Sequence, residues 1–243
     1  MLRDFSNPSV KSRASFARWI VRIAVLVVLA LVAIQLWYAG WIAWWRWNDP
    51  DETAFMRRER AALQVRNPKA ELKHRWVPYE RIATSLKRAV ITAEDARFAE
   101  HEGVDWEAIE KAYKDNVKRG RPARGGSTIT QQLAKNLFLS PDRSYVRKAQ
   151  ELVITYMIEA FWDKRRILEV YLNVVEWGEG VFGAEAATRY YFGVGAAQLS
   201  SEQAARLAAF LPNPKRYGRV RSGPYLDGRT GAILRYMPDA IVP

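Results

Sequence analysis

Between Ile23 and Trp45 the chain reads IAVLVVLALVAIQLWYAGWIAWW, without one charged side chain. About 20 apolar residues are enough to cross the hydrocarbon of a bilayer as a helix, and in lipid a lone spanning segment must be helical to satisfy its own N–H and C=O groups. One element is thereby set before any other: a transmembrane helix over 23–45. Arg3, Lys11, Arg13, Arg18 and Arg22 precede it against a single acid, Asp4. The positive-inside rule then keeps the basic segment 1–22 cytoplasmic and puts the rest of the chain outside. Trp37, Tyr38, Trp41, Trp44, Trp45 and Trp47 crowd the far end as an interfacial aromatic belt. A cleaved signal peptide fits less well, because the run exceeds an ordinary h-region and no small-x-small site precedes the tryptophans. Residues 46–76 read as a linker with a membrane-proximal helix, and 77–243 as one globular domain.

Of 243 residues, 49% are hydrophobic and 26% charged, a composition that folds around a packed core. The net charge of +12 asks for an anionic partner. Because the domain is tethered outside the membrane, that partner is expected in or on the membrane, with no nucleic acid. The absence of cysteine excludes disulfides, a thiolate nucleophile and Cys-ligated metal. No H-E-x-x-H or EF-hand spacing occurs, so neither a metal nor another cofactor is indicated.

The domain reads as mostly α. Pro78 opens an expected amphipathic helix, PYERIATSLKRAVITAED, that delivers Glu94 and Asp95 to its C-terminal end. Asp105 is placed to cap WEAIEKAYKDNVK. Thr128 and Gln131 fit a capping box for the helix that follows, as do Ser200 and Gln203 later. Ser144 begins SYVRKAQELVITYMIEAFW, with Val146, Val153, Met157 and Phe161 expected inward. RRILEVYLN and GAEAATRYYF follow as helices, the second stopped by Gly193. Alternation of strand type is scarce.

Two glycine patterns invite phosphate readings. Gly120 to Ser127 nearly matches the nucleotide P-loop, but Gly126 stands where its lysine belongs and no apolar strand precedes. Gly178, Gly180 and Gly183 match G-x-G-x-x-G, yet they follow a helix-like segment rather than a strand. The first loop still favours anions in principle, since Arg119, Arg121 and Arg124 adjoin a helix start. A basic loop with an ordinary cap explains the same residues. Glu94 is either a catalytic or a surface acid on spacing alone, His101 a base or a structural histidine, and Arg147 with Glu151 an i, i+4 pair or part of a site.

The fragments EDARFAEHEGVD (94–105), RGGSTITQQLAKNLFL (124–139), RKAQE (147–151), RRILEVYLNVVEWGEGVFGAEAATRYYFG (165–193) and LPNP (211–214), in this order, resemble the peptidoglycan transglycosylases, glycosyltransferase family 51. The resemblance runs from about Val77 to the C-terminus. It is to the short, membrane-anchored form, since no transpeptidase domain follows and no K-T-G motif is present. It implies a mainly α, lysozyme-like domain over 77–243 with a small membrane-associated lobe. Its implied partners are lipid II, the growing glycan polyprenyl diphosphate, the membrane, and cell-wall synthesis or division proteins. Glu94 matches the family's general base and Glu151 its second acid. Asp95 and Phe98 share the first motif. Ser127, Thr128, Gln131 and Gln132 fall on the substrate-binding motif, and Lys135, Arg143, Arg147 and Lys148 match basic positions beside the donor diphosphate. Two other readings compete: a glycan-cleaving lysozyme-like enzyme and a non-catalytic adaptor for anionic lipid. The dense basic set speaks against cleavage, whose neutral leaving group has no use for it.

Overall fold

The computed structural model describes residues 8–119, 126–142 and 144–243. The chain divides into two compact units, one ending at Ala43 and the other spanning Trp44–Pro243. Helix α1 (Pro8–Trp44), short of its last residue, makes up the first. The most apolar 18-residue window within Arg18–Trp44 has a mean hydropathy of 2.6, and none of that window is buried. An apolar surface that long without protein cover is what a bilayer accepts and water does not.

The second unit is mainly helical. In chain order it contains α2 (Ala54–Arg66), the short strand β1 (Lys73–His74), α3 (Thr84–Glu94), α4 (Trp106–Arg119), α5 (Ile129–Phe138), α6 (Tyr145–Phe161) and α7 (Lys164–Val174). Strands β2 (Glu176–Gly178) and β3 (Val181–Phe182) follow, and then α8 (Ala184–Phe192), α9 (Ser201–Ala208), α10 (Pro214–Val220) and α11 (Pro224–Tyr236). Helices α5, α6 and α7 pack around Leu133, Leu137, Ile154, Ile158, Leu168 and Tyr171, while α3, α9 and α11 form a second packed group. Each such buried aliphatic or aromatic side chain contributes roughly 1.5–3 kcal/mol of transfer free energy.

Polar local signals start most helices where the sequence puts them. Thr128 Oγ1 accepts from Gln131 N at 3.2 Å while Gln131 Oε1 accepts from Thr128 N at 3.1 Å. Ser200 and Gln203 repeat this reciprocal pair on α9, whereas Ser144 and Asp163 cap α6 and α7 by accepting from Arg147 N and Arg166 N. Gly193 ends α8 in the left-handed region at φ 72°.

Three expectations change. The helix expected from Pro78 onward is broken: Tyr79–Arg81 forms one 3-10 turn, Ile82 is extended, and α3 starts only at Thr84. The break lets Ala83 N donate to Ala196 O at 2.9 Å and drops Ile82 into the core. On α6 the inward set is Glu151, Ile154, Thr155 and Ile158, whereas Val146, Val153 and Phe161 are exposed and Met157 is half-buried. Packing of Ile154, Thr155 and Ile158 against α5 and α7 sets the rotation of that helix and carries Glu151 inward with them. The three strands, too short for alternation to register, form one sheet in the order β1-β3-β2. Lys73 pairs in parallel with Val181, and Glu176 antiparallel with Phe182.

The G-x-G-x-x-G match is thus a β-hairpin. Gly180 and Gly183 hold φ of 68° and 79°, and a Cβ on Gly183 would lie 2.5 Å from the carbonyl oxygen of Asn173. Gly180 serves the hairpin turn, and Gly183 lets the chain pass close to α7 before α8 begins.

Candidate active site

Glu94 is the last residue of α3, and its side chain is only 12% exposed. It lines two adjoining cavities of about 410 and 720 Å³. Its Oε2 accepts from Gln132 Nε2 at 2.9 Å and its Oε1 from Arg229 Nη2 at 3.2 Å. Because a carboxylate only accepts, Gln132 turns its amide nitrogen to Glu94, leaving Oε1 to accept from the buried Tyr171 hydroxyl at 2.9 Å. Burial pushes the Glu94 carboxyl above the usual range; the Gln132 hydrogen bond and the Arg229 charge oppose that rise. The result is a carboxylate that is basic for its kind yet oriented by two donors, as a proton acceptor requires.

Asp95 stands behind it and does different work. Its Oδ2 accepts from Ile129 N, at the start of α5, at 2.9 Å, and its Oδ1 lies 2.9 Å from His101 Nε2. Asp105 accepts from Ala108 N at 2.9 Å and so caps α4. Asp95, His101 and Asp105 bring ligand atoms within 4.8 Å of one another. Their contacts to Ile129 N and Ala108 N make them a clamp on two helix starts, which fixes the pair Glu94 and Gln132 relative to each other. Phe98 is fully buried with the Lys164 ammonium 4.8 Å above its ring, so it builds the wall from behind.

On the glycine-rich stretch, Ser127 is exposed and lines both cavities. Thr128 and Gln131 are buried: the Thr128 hydroxyl donates to Gly103 O at 2.6 Å, and both side chains belong to the capping box. Of the four residues expected on this motif, Ser127, Thr128 and Gln132 line the cavities, and Gln131 does not. Residues 120–125 and Arg143 lie outside the described residues, as does the side chain of Arg119.

A second carboxylate centre sits on α6. Glu151, 5% exposed at its side chain, accepts from Arg147 Nη1 at 2.5 Å through Oε2 and from Lys148 Nζ through Oε1. Lys135 on α5 is electrostatically coupled to both carboxylates. Burial pulls its ammonium below the ordinary lysine value, Glu151 and Glu94 pull it up, and Arg147 and Lys148 push it down. Helices α5 and α6 thereby bring Lys135, Arg147 and Lys148 together around one buried acid. Such a set holds more positive charge than Glu151 alone balances, and a dianionic ligand would complete it.

Tyr171 and Arg229 escaped the sequence reading. The Arg229 contact joins residues 135 positions apart, and nothing local marks it. Tyr171 falls inside a recognisable helix, but only its hydrogen bond to Gln132 distinguishes it from core.

Residues 60–238 match the family model described as Transglycosylase. A biosynthetic peptidoglycan transglycosylase of Herminiimonas arsenicoxydans is 58% identical over 225 residues, covering 93% of this chain and 96% of its own. That of Dechloromonas aromatica is 55% identical, covering 93% and 98%, and that of Bordetella pertussis 53%, covering 95% and 97%. A match across most of the folded unit, with relatives above half identity along nearly their whole length, leaves one assignment: this chain belongs to the transglycosylase family.

Proposed function

We propose that this membrane-anchored glycosyltransferase polymerises peptidoglycan glycan from lipid II at the outer face of the cytoplasmic membrane, with its N-terminus cytoplasmic. Glu94 removes the proton from the 4-hydroxyl of the acceptor sugar. The freed oxygen pair forms a bond to the anomeric carbon of the growing glycan from the face opposite its diphosphate. The anomeric C–O bond breaks, its electron pair leaves with the polyprenyl diphosphate, and configuration inverts. Lys135, Arg147 and Lys148, with Arg143, neutralise the charge that develops on the departing diphosphate, and Glu151 holds those cations in register.

The observation that carries this reading is the division of labour between the two carboxylates. Glu94 is bound by a neutral amide and one guanidinium at the edge of a cavity, whereas Glu151 is buried beneath two cations. The first arrangement suits a base and the second an electrostatic scaffold. The test is lipid II consumption by the purified full-length protein in detergent, run beside Glu94→Gln and with products resolved by size. Long strands from wild type alone are expected. Strands made equally by the variant would remove Glu94 from the chemistry, and release of soluble fragments from sacculi would replace polymerisation with cleavage.

A further inference from the structure

Arg229 reaches the site from α11, the C-terminal helix, which packs on α3 and α9. Its Nη2 bridges Glu94 Oε1 at 3.2 Å and Ala93 O at 3.1 Å, so the guanidinium grips both the carboxylate and the backbone beside it. The side chain is 27% exposed, yet its Nε is buried and lacks a partner. Arg229 also lines the 720 Å³ cavity along with Gln132, Tyr225 and Tyr236.

We propose that Arg229 is a positioning residue for the reaction, holding one oxygen of Glu94 so that the carboxylate stays ionised and aimed into the cavity. The inference rests on the reading of Glu94 as the base. Gln132 fixes Oε2 and Arg229 fixes Oε1, which locks rotation about the terminal bond of the side chain. Each oxygen keeps a second lone pair for the incoming proton. The other groups facing Glu94 are Asp95 on its own element, Lys135 on α5 and Tyr171 on α7, with Lys111 of α4 on the cavity wall. Among the groups that lower the proton affinity of Glu94, Arg229 is the charged one in direct contact. Docking of α11 therefore makes the base competent, tying the end of the chain to chemistry on α3.

The experiment measures kcat and KM for lipid II from about pH 5 to 9 with full-length wild type, Arg229→Gln, Arg229→Lys and Glu94→Asp. Far-UV circular dichroism and thermal unfolding of each variant accompany the kinetics. An opposite charge at this range shifts a carboxyl by about 1–3 pH units. Arg229→Gln should accordingly move the acid limb of kcat upward by about one unit or more, with the deficit shrinking toward high pH. Arg229→Lys should restore most of the limb, because the charge returns, and it serves as the test if the glutamine variant does not fold. A loss uniform across pH, or a limb unmoved in both variants, would overturn the inference. The Glu94→Asp profile separates the two layers. If it moves the limb and the Arg229 variants do not, only the role of Arg229 falls; if it leaves the limb in place, the limb is not that of Glu94 and the base reading falls first.

Discussion

On the proposed mechanism the general base must be ionised before it can act, and enclosure alone would make Glu94 retain its proton. Gln132 and Arg229 offset that tendency without abolishing it, so the carboxyl titrates above the ordinary range. The sign follows: activity depends on the unprotonated form and falls as pH drops through that raised value. Glu94→Gln should lower kcat by about 10²–10⁴-fold across the pH range while the fold survives, as lipid II turnover and circular dichroism would show. Thr128 illustrates a different kind of residue. It sits in the motif beside the site, yet its hydroxyl is spent on Gln131 N and Gly103 O. Thr128→Ala should cost about 1–2 kcal/mol of stability, measured by chemical denaturation in detergent, with any loss of activity following the loss of fold. Glu94 was legible because its motif is contiguous. Arg229 was not, because its meaning comes from a partner 135 residues away.

At the scale of elements, α6 shows how an apolar pattern can mislead. Val146, Val153 and Phe161 suggest an inward stripe, but the helix turns Glu151, Ile154, Thr155 and Ile158 inward instead. Packing of Ile154, Thr155 and Ile158 against α5 and α7 sets that rotation, and Arg147 and Lys148, carried on the same helix, compensate the Glu151 carboxylate that it buries. Ile158→Ala should destabilise the domain by about 2–5 kcal/mol and Val146→Ala by less than about 0.5 kcal/mol. Unfolding midpoints of the two variants check this, and equal losses would argue for the opposite face. The exposed apolar side of α6, with Tyr145 and Tyr156, belongs to a helix whose other side builds the site. Helix α3 carries the complementary lesson. Its periodicity extends back to Pro78, but a backbone hydrogen bond from Ala83 to Ala196 interrupts it. Caps, by contrast, were legible at Asp105, Thr128, Ser144 and Ser200, because a cap is satisfied within three residues.

Across the whole folded unit, charged contacts fasten distant parts of the chain. Lys215 on α10 is bound to Glu59 on α2 and lies 3.7 Å from Glu176 on β2. The segment containing Glu59, read from sequence as a linker with a membrane-proximal helix, therefore contributes one buried acid to the unit. Burial, with Glu59 and Glu179 nearby, pushes the Glu176 carboxyl up to about 7 despite Lys215. Unfolded, the same group titrates near its usual value of about 4.3. Between those values only the folded state keeps the proton, so this carboxyl favours folding at low pH and the benefit is lost as pH rises toward about 7. Thermal unfolding at several pH values should show Glu176→Gln gaining on wild type from about pH 5 to 7 and holding a constant margin above. Parallel curves would return Glu176 to ordinary titration.

An uncharged run of membrane-spanning length, short polar caps and a contiguous helical stripe act over a few residues, so the sequence by itself determined the long apolar helix, most helix starts and the place of Glu94 at a helix end. The rotation of α6, the hairpin made by the second glycine pattern, and the grip of Gln132 and Arg229 on Glu94 were decided only by tertiary structure. Each depends on desolvation and on partners supplied by other elements, and neither can be assigned to a residue until the chain has folded around it.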